Sequence, residues 1–483
     1  MPFVSIEEKI FEWARRTPEK TALVDKKVSI TYKELVDNIW SVKAKLEKDF
    51  FIEKDDVVLL AANKNVNFIY SYFALHLIGA KVAPLDEQIQ VDKLDHVVDQ
   101  TKPKLIVGLA LKNDNRCYDF DIFKNIESTN IPVDIDYPKV KQHADVLFTT
   151  GTTGNPKGVL LTHGNIAASA ENINTFVRNT NSDIELLALP ISHSFGLGRI
   201  KCVLSAGGTL VLLGSIVNMK RMFRSFEEHK ITGFGMVPAS WEYIQKMSGN
   251  RLSDFSEQLN YIELGSAYMS PKDKKHIKAL FPNTRICMHY GLTEASRSAF
   301  MEFSTDSIYL DTVGKASPNV EIAILDQLGK TTNLGNEGEI CVKGDHVFDG
   351  YLNMSKDDFF HGDYFRTGDI GSIDANGYIS LKGRYKEIIN VGGKKLSPIE
   401  VESKITEFDA SLETACIGVE DPEGVLGEVV KLFIVKTDAH HNFNDIKRFL
   451  KSNLESYKVP VFFEWIDEIP KTKSGKIQRQ KLL

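Results

Sequence analysis

Phe148-Thr149-Thr150-Gly151-Thr152-Thr153-Gly154-Asn155-Pro156-Lys157-Gly158 follows an apolar run that begins at Val146. Hydroxyls, glycines and one lysine are packed into a short loop, a composition that suits a polyphosphate. Glycines let the backbone approach, hydroxyls and N–H groups donate to phosphate oxygens, and the lysine adds charge. The order of residues excludes a Walker A loop. Lys157 follows Pro156 rather than glycine, and Gly158 stands where a Mg²⁺-binding Ser or Thr belongs. Alone, the stretch also reads as a flexible Thr/Gly loop, so the rest of the chain has to decide.

Outward from this loop, apolar runs of strand length alternate with amphipathic segments of helix length. Strands are expected at Asp56 to Ala61, Lys104 to Gly108, Val146 to Thr149, Ile184 to Leu189, Thr209 to Leu213, Gly233 to Val237 and Tyr261 to Leu264. Helices are expected at Asn218 to His229, Ala239 to Met247 and Pro271 to Leu280. The alternation predicts α/β layers with mainly parallel sheets. From about 320 to 382, short strands separated by turns such as Asp374-Ala375-Asn376-Gly377 predict an antiparallel β subdomain. After Gly383 comes a smaller α+β unit, with a hairpin at Gly392-Gly393 and helices at Ile399 to Phe408 and Asn444 to Leu454. The expected division is a large domain over residues 1–384 and a small one over 385–483, joined at a charged linker.

At 483 residues the chain is too long for one ordinary core. Its 42% hydrophobic and 26% charged content is that of a soluble globular protein. A net charge of −6 gives no basic field for nucleic acid. The five cysteines are far apart, without zinc or redox spacing, which suggests a reduced, cytoplasmic setting. Met1 to Arg16 is amphipathic and charged, unlike a signal peptide. Phe68 to Leu85, the most apolar stretch, is short for a membrane span and reads as a buried helix followed by a strand. Oligomeric state is left open.

Downstream of the loop, in order, stand Tyr290-Gly291-Leu292-Thr293-Glu294, Tyr364-Phe365-Arg366-Thr367-Gly368-Asp369, Gly383-Arg384-Tyr385-Lys386-Glu387 and Pro470-Lys471-Thr472-Lys473-Ser474-Gly475-Lys476. With the loop, and from Thr31-Tyr32-Lys33-Glu34-Leu35 to the C-terminus, they resemble the core motifs of the acyl-adenylate-forming superfamily. The likeness is greatest to its acyl-CoA synthetase branch. The resemblance implies a large N-terminal domain and a mobile C-terminal lid. It also implies ATP-dependent conversion of a carboxylic acid to acyl-AMP, with Mg²⁺, and then transfer to the thiol of coenzyme A.

By the same resemblance, Thr149, Thr150, Gly151, Thr152, Thr153 and Lys157 would hold the β- and γ-phosphates. Thr150 replaces the serine of most relatives and keeps the hydroxyl. Tyr290 would lie against adenine, Thr293 would contact the α-phosphate and Glu294 would bind Mg²⁺, a hard ion that prefers carboxylate oxygen. Asp369 would accept from the ribose hydroxyls, with Arg384 beside it. Lys476 would reach the carboxylate and α-phosphate, and Lys386 would be the hinge of the lid. His193, in Leu189-Pro190-Ile191-Ser192-His193-Ser194-Phe195-Gly196, would gate access of the carboxylate and thiol. No Gly-x-Ser-x-Gly elbow supports a Ser/His hydrolase. Gly233-Phe234-Gly235 is half a dinucleotide fingerprint inside a strand and is set aside.

The resemblance further puts the acyl pocket around Met236, Ser240, Trp241, Gly265, Ser266, Ala267 and Gly291. Most of these are apolar or small, which predicts a hydrophobic acid, either a flat aryl acid or a medium-to-long acyl chain. Gly291 would leave the pocket open where acetate-specific relatives carry tryptophan. Trp241 is either an acyl wall or a helix core residue. Where amino-acid-activating members of the superfamily carry an aspartate to pair the substrate amine, just after His193, this chain has Ser194-Phe195-Gly196-Leu197 with no acid, which argues against an amino-acid substrate. Gly392 and Gly393 would admit a pantetheine arm, belonging to coenzyme A or to a separate acyl carrier protein. Two other readings stand beside these: a luciferase, and a catalytically silent nucleotide-binding protein. The intact Glu294, Asp369, Arg384 and Lys476 argue against the silent one.

Overall fold

The computed structural model describes residues 3–112, 114–124, 126–149, 156–409, 411–436, 441–472 and 475–483. The apolar stretch after Asn63 shows how local sequence becomes fold. Asn65 caps the helix Val66–Ile78 by accepting from the Phe68 N–H at 3.0 Å. Gly79 ends it with φ +88°, a left-handed turn that suits glycine. The chain then enters the strand Lys81–Leu85, pairs in parallel with Val57–Ala61 and carries the buried helix across the sheet.

Two layered sheets form the large domain. One has seven described strands. In spatial order they are Gly350–Tyr351, Lys157–Thr162, His143–Thr149, Lys81–Leu85, Val57–Ala61, Leu105–Val107 and Cys117–Tyr118. The other runs in parallel from Arg285–Tyr290 through Tyr261–Leu264, Gly233–Met236, Ile184–Leu187 and Thr209–Leu212 to Thr21–Asp25, with antiparallel strands at both edges. Helices Ile6–Arg16, Tyr32–Phe50, Val66–Ile78, His163–Val177 and Ser194–Ser205 share one apolar core with strands of both sheets. This is the expected α/β layering. The strands Glu321–Leu325, Gly338–Lys343, Phe360–His361, Tyr364–Ile373 and Ile379–Arg384 make the antiparallel subdomain. Beyond Arg384 a separate apolar cluster runs from Ile389 to Val459 and forms the core of the small domain. Among the described residues, no helix is long and apolar enough to cross a membrane.

Charge is buried between the layers. Asp145, on the strand leading to the glycine loop, accepts from Lys201 (2.7 Å), Tyr72 (2.8 Å) and His76 Nε2 (3.1 Å). His76 Nδ1 meets Glu7 at 2.8 Å, so both its ring nitrogens face carboxylates. Burial works against a charged His76, but Asp145 and Glu7 outweigh it and raise its pKa. The Glu7–His76–His163 group is therefore an ion-paired core under the loop strand.

Candidate active site

The glycine loop joins two antiparallel strands. Thr149 on His143–Thr149 pairs with Lys157 on Lys157–Thr162, so the chain leaves and returns at one sheet end. Thr150 to Asn155 lie outside the described residues. A strand follows the loop where a Walker A motif would start a helix, which agrees with the residue order. The Lys157 ammonium lies 5.1 Å from the Tyr351 ring centre and 5.0 Å from that of Phe359, a cation–π setting that holds it at the loop base.

Across from this base, Tyr290 ends its strand buried, with its hydroxyl donating to Asp369 at 2.6 Å. Burial first, and the Asp369 charge second, push that phenol well above its ordinary pKa. Asp369 also accepts from Arg384 Nε at 2.8 Å, across the paired strands Tyr364–Ile373 and Ile379–Arg384. Its backbone is set by Thr367, whose hydroxyl accepts from the Asp369 N–H at 3.0 Å. Gly368 takes φ +73° within this strand, where its pairing with Gly338–Lys343 shifts register. Glu294 is buried, and its Oε1 accepts from the Tyr351 hydroxyl at 2.6 Å. No described residue is hydrogen-bonded to Glu294 Oε2, so a carboxylate oxygen is left for a hard cation such as Mg²⁺.

Lys476, from the far end of the chain, enters the same cleft. A Cβ on its neighbour Gly475 would lie 3.4 Å from Ala239, so the terminal loop touches the helix Pro238–Ser248 of the large domain. Lys476 is exposed but lies within the field of Arg384, Asp369, Glu387 and Glu294. The hairpin Ile389–Val391 and Lys394–Leu396 turns through Gly392 and Gly393 at φ +58° and +83°. The Gly392 N–H donates to Leu426 O at 2.8 Å within the small domain. Nothing lies within 4 Å of a Cβ placed on Gly393, so that side of the tip is open. Lys386 sits exposed in the single turn Tyr385–Glu387 that follows Arg384.

Next to His193 lies a cavity of about 210 Å³. Met236, Ser240 and Ser266 of the expected pocket line it. Ser266 has φ +70°, a strained backbone at the cavity wall. Gly235, set aside above, also faces the cavity. Gly233 is needed for packing, since a Cβ there would come within 2.2 Å of the Tyr261 ring.

Trp241, Gly265, Ala267 and Gly291 are not among the residues lining this cavity. Trp241 is 2% exposed and packs near Phe281 and His276, on the core side of its helix. Gly291 is glycine for a local reason. A Cβ there would lie 2.4 Å from the Arg297 backbone nitrogen and 2.8 Å from the Ala295 carbonyl. A Cβ on Gly265 would strike the His289 ring at 2.1 Å. Trp241→Ala should therefore lower unfolding free energy by about 3 kcal/mol, the scale for emptying a large aromatic site. The acid profile should stay as it was. Urea unfolding beside an acid screen checks this, and a shifted profile at unchanged stability would put Trp241 back on the pocket wall.

Arg297 escaped the sequence reading. Its Nη1 and Nη2 donate to the Ser194 and Phe195 carbonyls, both at 3.1 Å, and its Nε donates to Glu263 at 3.1 Å. It ties the loop after Tyr290 to the start of the helix that follows His193. Glu263 also accepts from Arg199 at 3.0 Å and meets His289 Nδ1 at 2.8 Å. Burial would raise the Glu263 pKa, but Arg297 and Arg199 hold it well below the carboxylate range. A buried arginine among acids on separate strands carries no local signal.

A family model described as AMP-binding enzyme matches residues 10–352, and one described as AMP-binding enzyme C-terminal domain matches residues 400–476. The chain belongs to this family and is an acid–thiol ligase of the acyl-CoA synthetase branch, a class that works with ATP, Mg²⁺ and coenzyme A. Among curated relatives, the oxalate–CoA ligase of Arabidopsis thaliana is 29% identical over 97% of this chain and 96% of its own length. The 2-succinylbenzoate–CoA ligase of Staphylococcus epidermidis is 28% identical over 98% and 96%. Among solved structures, ATP-bound MatB from Rhodopseudomonas palustris superposes with a TM-score of 0.88 at 25% identity, covering 99% of this chain and 98% of that one.

Proposed function

We propose that this enzyme joins a carboxylic acid to AMP in the cleft between its domains and then passes the acyl group to coenzyme A. The observation that carries the reading is the meeting of Tyr290, Glu294, Asp369, Arg384 and Lys476, from distant parts of the chain, around one cleft. The difficulty of the first step is that a carboxylate must approach an anionic phosphate, so fixed positive charge and alignment do most of the work. Thr149 and Lys157 would hold the outer phosphates with the rest of the loop. Asp369 would take the ribose hydroxyls, oriented by Arg384 and Tyr290, and Thr293 would contact the α-phosphate. Glu294 would hold Mg²⁺, which when bound neutralises phosphate charge. Lys476 would stabilise negative charge as the acyl–phosphate bond forms. His193, on the cavity wall, would stand between the acid and the incoming thiol.

The relatives named above act on acids as different as oxalate and 2-succinylbenzoate, so their names leave the acid open. The cavity supports an acid with an apolar body, since Leu189, Phe195, Ile216 and Met236 form much of its wall. ATP–pyrophosphate exchange over fatty, aryl, di- and amino acids tests the first step. AMP release with and without coenzyme A tests the second. Exchange with amino acids alone, or none with any acid, would overturn the reading.

A further inference from the structure

The cavity wall holds one residue that the chemistry above does not use. Lys64 lines it, two residues before the helix Val66–Ile78 and beside Ala188, Leu189 and Pro190. The side chain is half-buried, and its ammonium donates to the Ala188 carbonyl at 2.7 Å. That bond uses one of three donors and leaves the charge uncompensated. Among the described residues no carboxylate pairs with Lys64, although most other buried cations of this chain have one: Lys201 has Asp145, and Arg199 has Glu185 and Glu263. Burial alone pushes the Lys64 ammonium down to about 8, with no acid nearby to raise it. A purely apolar acyl chain filling the cavity would strip more water from this cation and return nothing. A substrate with a negative group at its far end would supply the missing partner. The 210 Å³ of space far exceeds the ~10–15 Å³ that one water needs, so an acid of several carbon atoms fits.

We infer that the enzyme acts on a dicarboxylic acid with a short apolar body, one carboxylate reacting at the adenylation cleft and the other held by Lys64. The inference rests on the adenylate-forming reading and narrows it. The second carboxylate is a spectator, its bonds unchanged, and Lys64 is a specificity residue. The reading also explains why a wall that includes Leu189, Phe195, Ile216, Met236 and Val237 carries a lysine.

The test compares saturated and aromatic diacids with their own monoamides, which are near in size and shape but lose the distal charge, and with their monomethyl half-esters, which lose the charge and add a methyl group. Wild-type enzyme should favour the better diacid over its monoamide and its half-ester in kcat/KM for pyrophosphate exchange. In Lys64→Met the diacid-to-monoamide ratio should fall about thirtyfold or more, the scale for removing one partner of a desolvated charge pair. Lys64→Arg should keep most of the preference, which a merely structural role for the lysine would not require. Thermal unfolding of each variant separates lost recognition from lost folding. A wild-type preference for monoamides or half-esters, or an unchanged ratio in a folded Lys64→Met, would overturn the diacid while leaving adenylate formation standing. Absence of exchange with every acid would instead remove the adenylate reading, and the diacid with it.

Discussion

Lys476→Ala is expected to slow acyl-AMP formation by about two to three orders of magnitude, the scale for losing one preorganised donor to a transition state. Thioester formation from supplied acyl-AMP should survive. The reason lies in where charge develops. Joining a carboxylate to a phosphate crowds negative charge at the forming mixed anhydride, and a cation already fixed there needs no rearrangement as the bond forms. Lys476 reaches a cleft it shares with Arg384, Asp369, Glu387 and Glu294. The residue as a whole stays exposed, but desolvation of its ammonium where it reaches the cleft first, and the Arg384 charge second, lower its pKa against the opposing pull of the acids. The ammonium is the working form, so a lowered pKa means it is lost at a pH below the ordinary lysine value of about 10.4. The alkaline limb of kcat/KM for adenylation should therefore begin below that value in wild type and be missing in Lys476→Ala. Equal loss of both half-reactions in a folded variant would reassign the residue.

The residues expected around the nucleotide form more local patterns in the sequence than those expected around the acyl group, for a physical reason. Phosphate, ribose and metal require particular chemistry at fixed places: an acid such as Asp369 after a Thr-Gly pair, or a lysine in a Thr/Ser/Gly-rich tail. Those requirements leave short local patterns. The acyl cavity is an empty space whose walls come from several segments, and many side chains fill a wall equally well. Trp241 illustrates the difficulty, since an aromatic on an amphipathic helix suits a pocket or a core, and here it faces the core. Gly291 was legible as a position without a side chain, but the cause is the close return of the Arg297 backbone, which no residue pattern announces. Lys64 was hidden for the opposite reason. A lysine before a helix is an unremarkable surface residue until the fold sets it on a cavity wall. The layered sheets were legible because their strands are apolar and punctuated by turns. The hairpin partner Lys157–Thr162 was not, because its first residues belong to the loop motif.

Lys386→Pro is expected to leave adenylation largely intact and to cut thioester formation about a hundredfold, as when a reacting group is held out of place. The small domain brings Lys476 to the cleft, while the Gly392–Gly393 turn bonds to Leu426 in its own domain and has open space beside Gly393. If the hairpin serves the thiol step, the lid must turn between half-reactions, with a few residues absorbing the change in φ and ψ. Tyr385–Glu387 is the turn between the last strand of the antiparallel sheet and the first strand of the small domain, and Lys386 is its exposed middle residue. Proline holds φ near about −65°, a value that suits such a turn, and it narrows Tyr385 as well. The substitution should therefore restrict the φ and ψ changes that carry the lid from one setting to the other. Single-turnover assays of each half-reaction decide the matter. Thioester formation at the wild-type rate would place the hinge elsewhere, and loss of both steps would mean that the turn serves the adenylation cleft itself. A selective loss would instead show that one short turn separates two chemistries that share a single cleft.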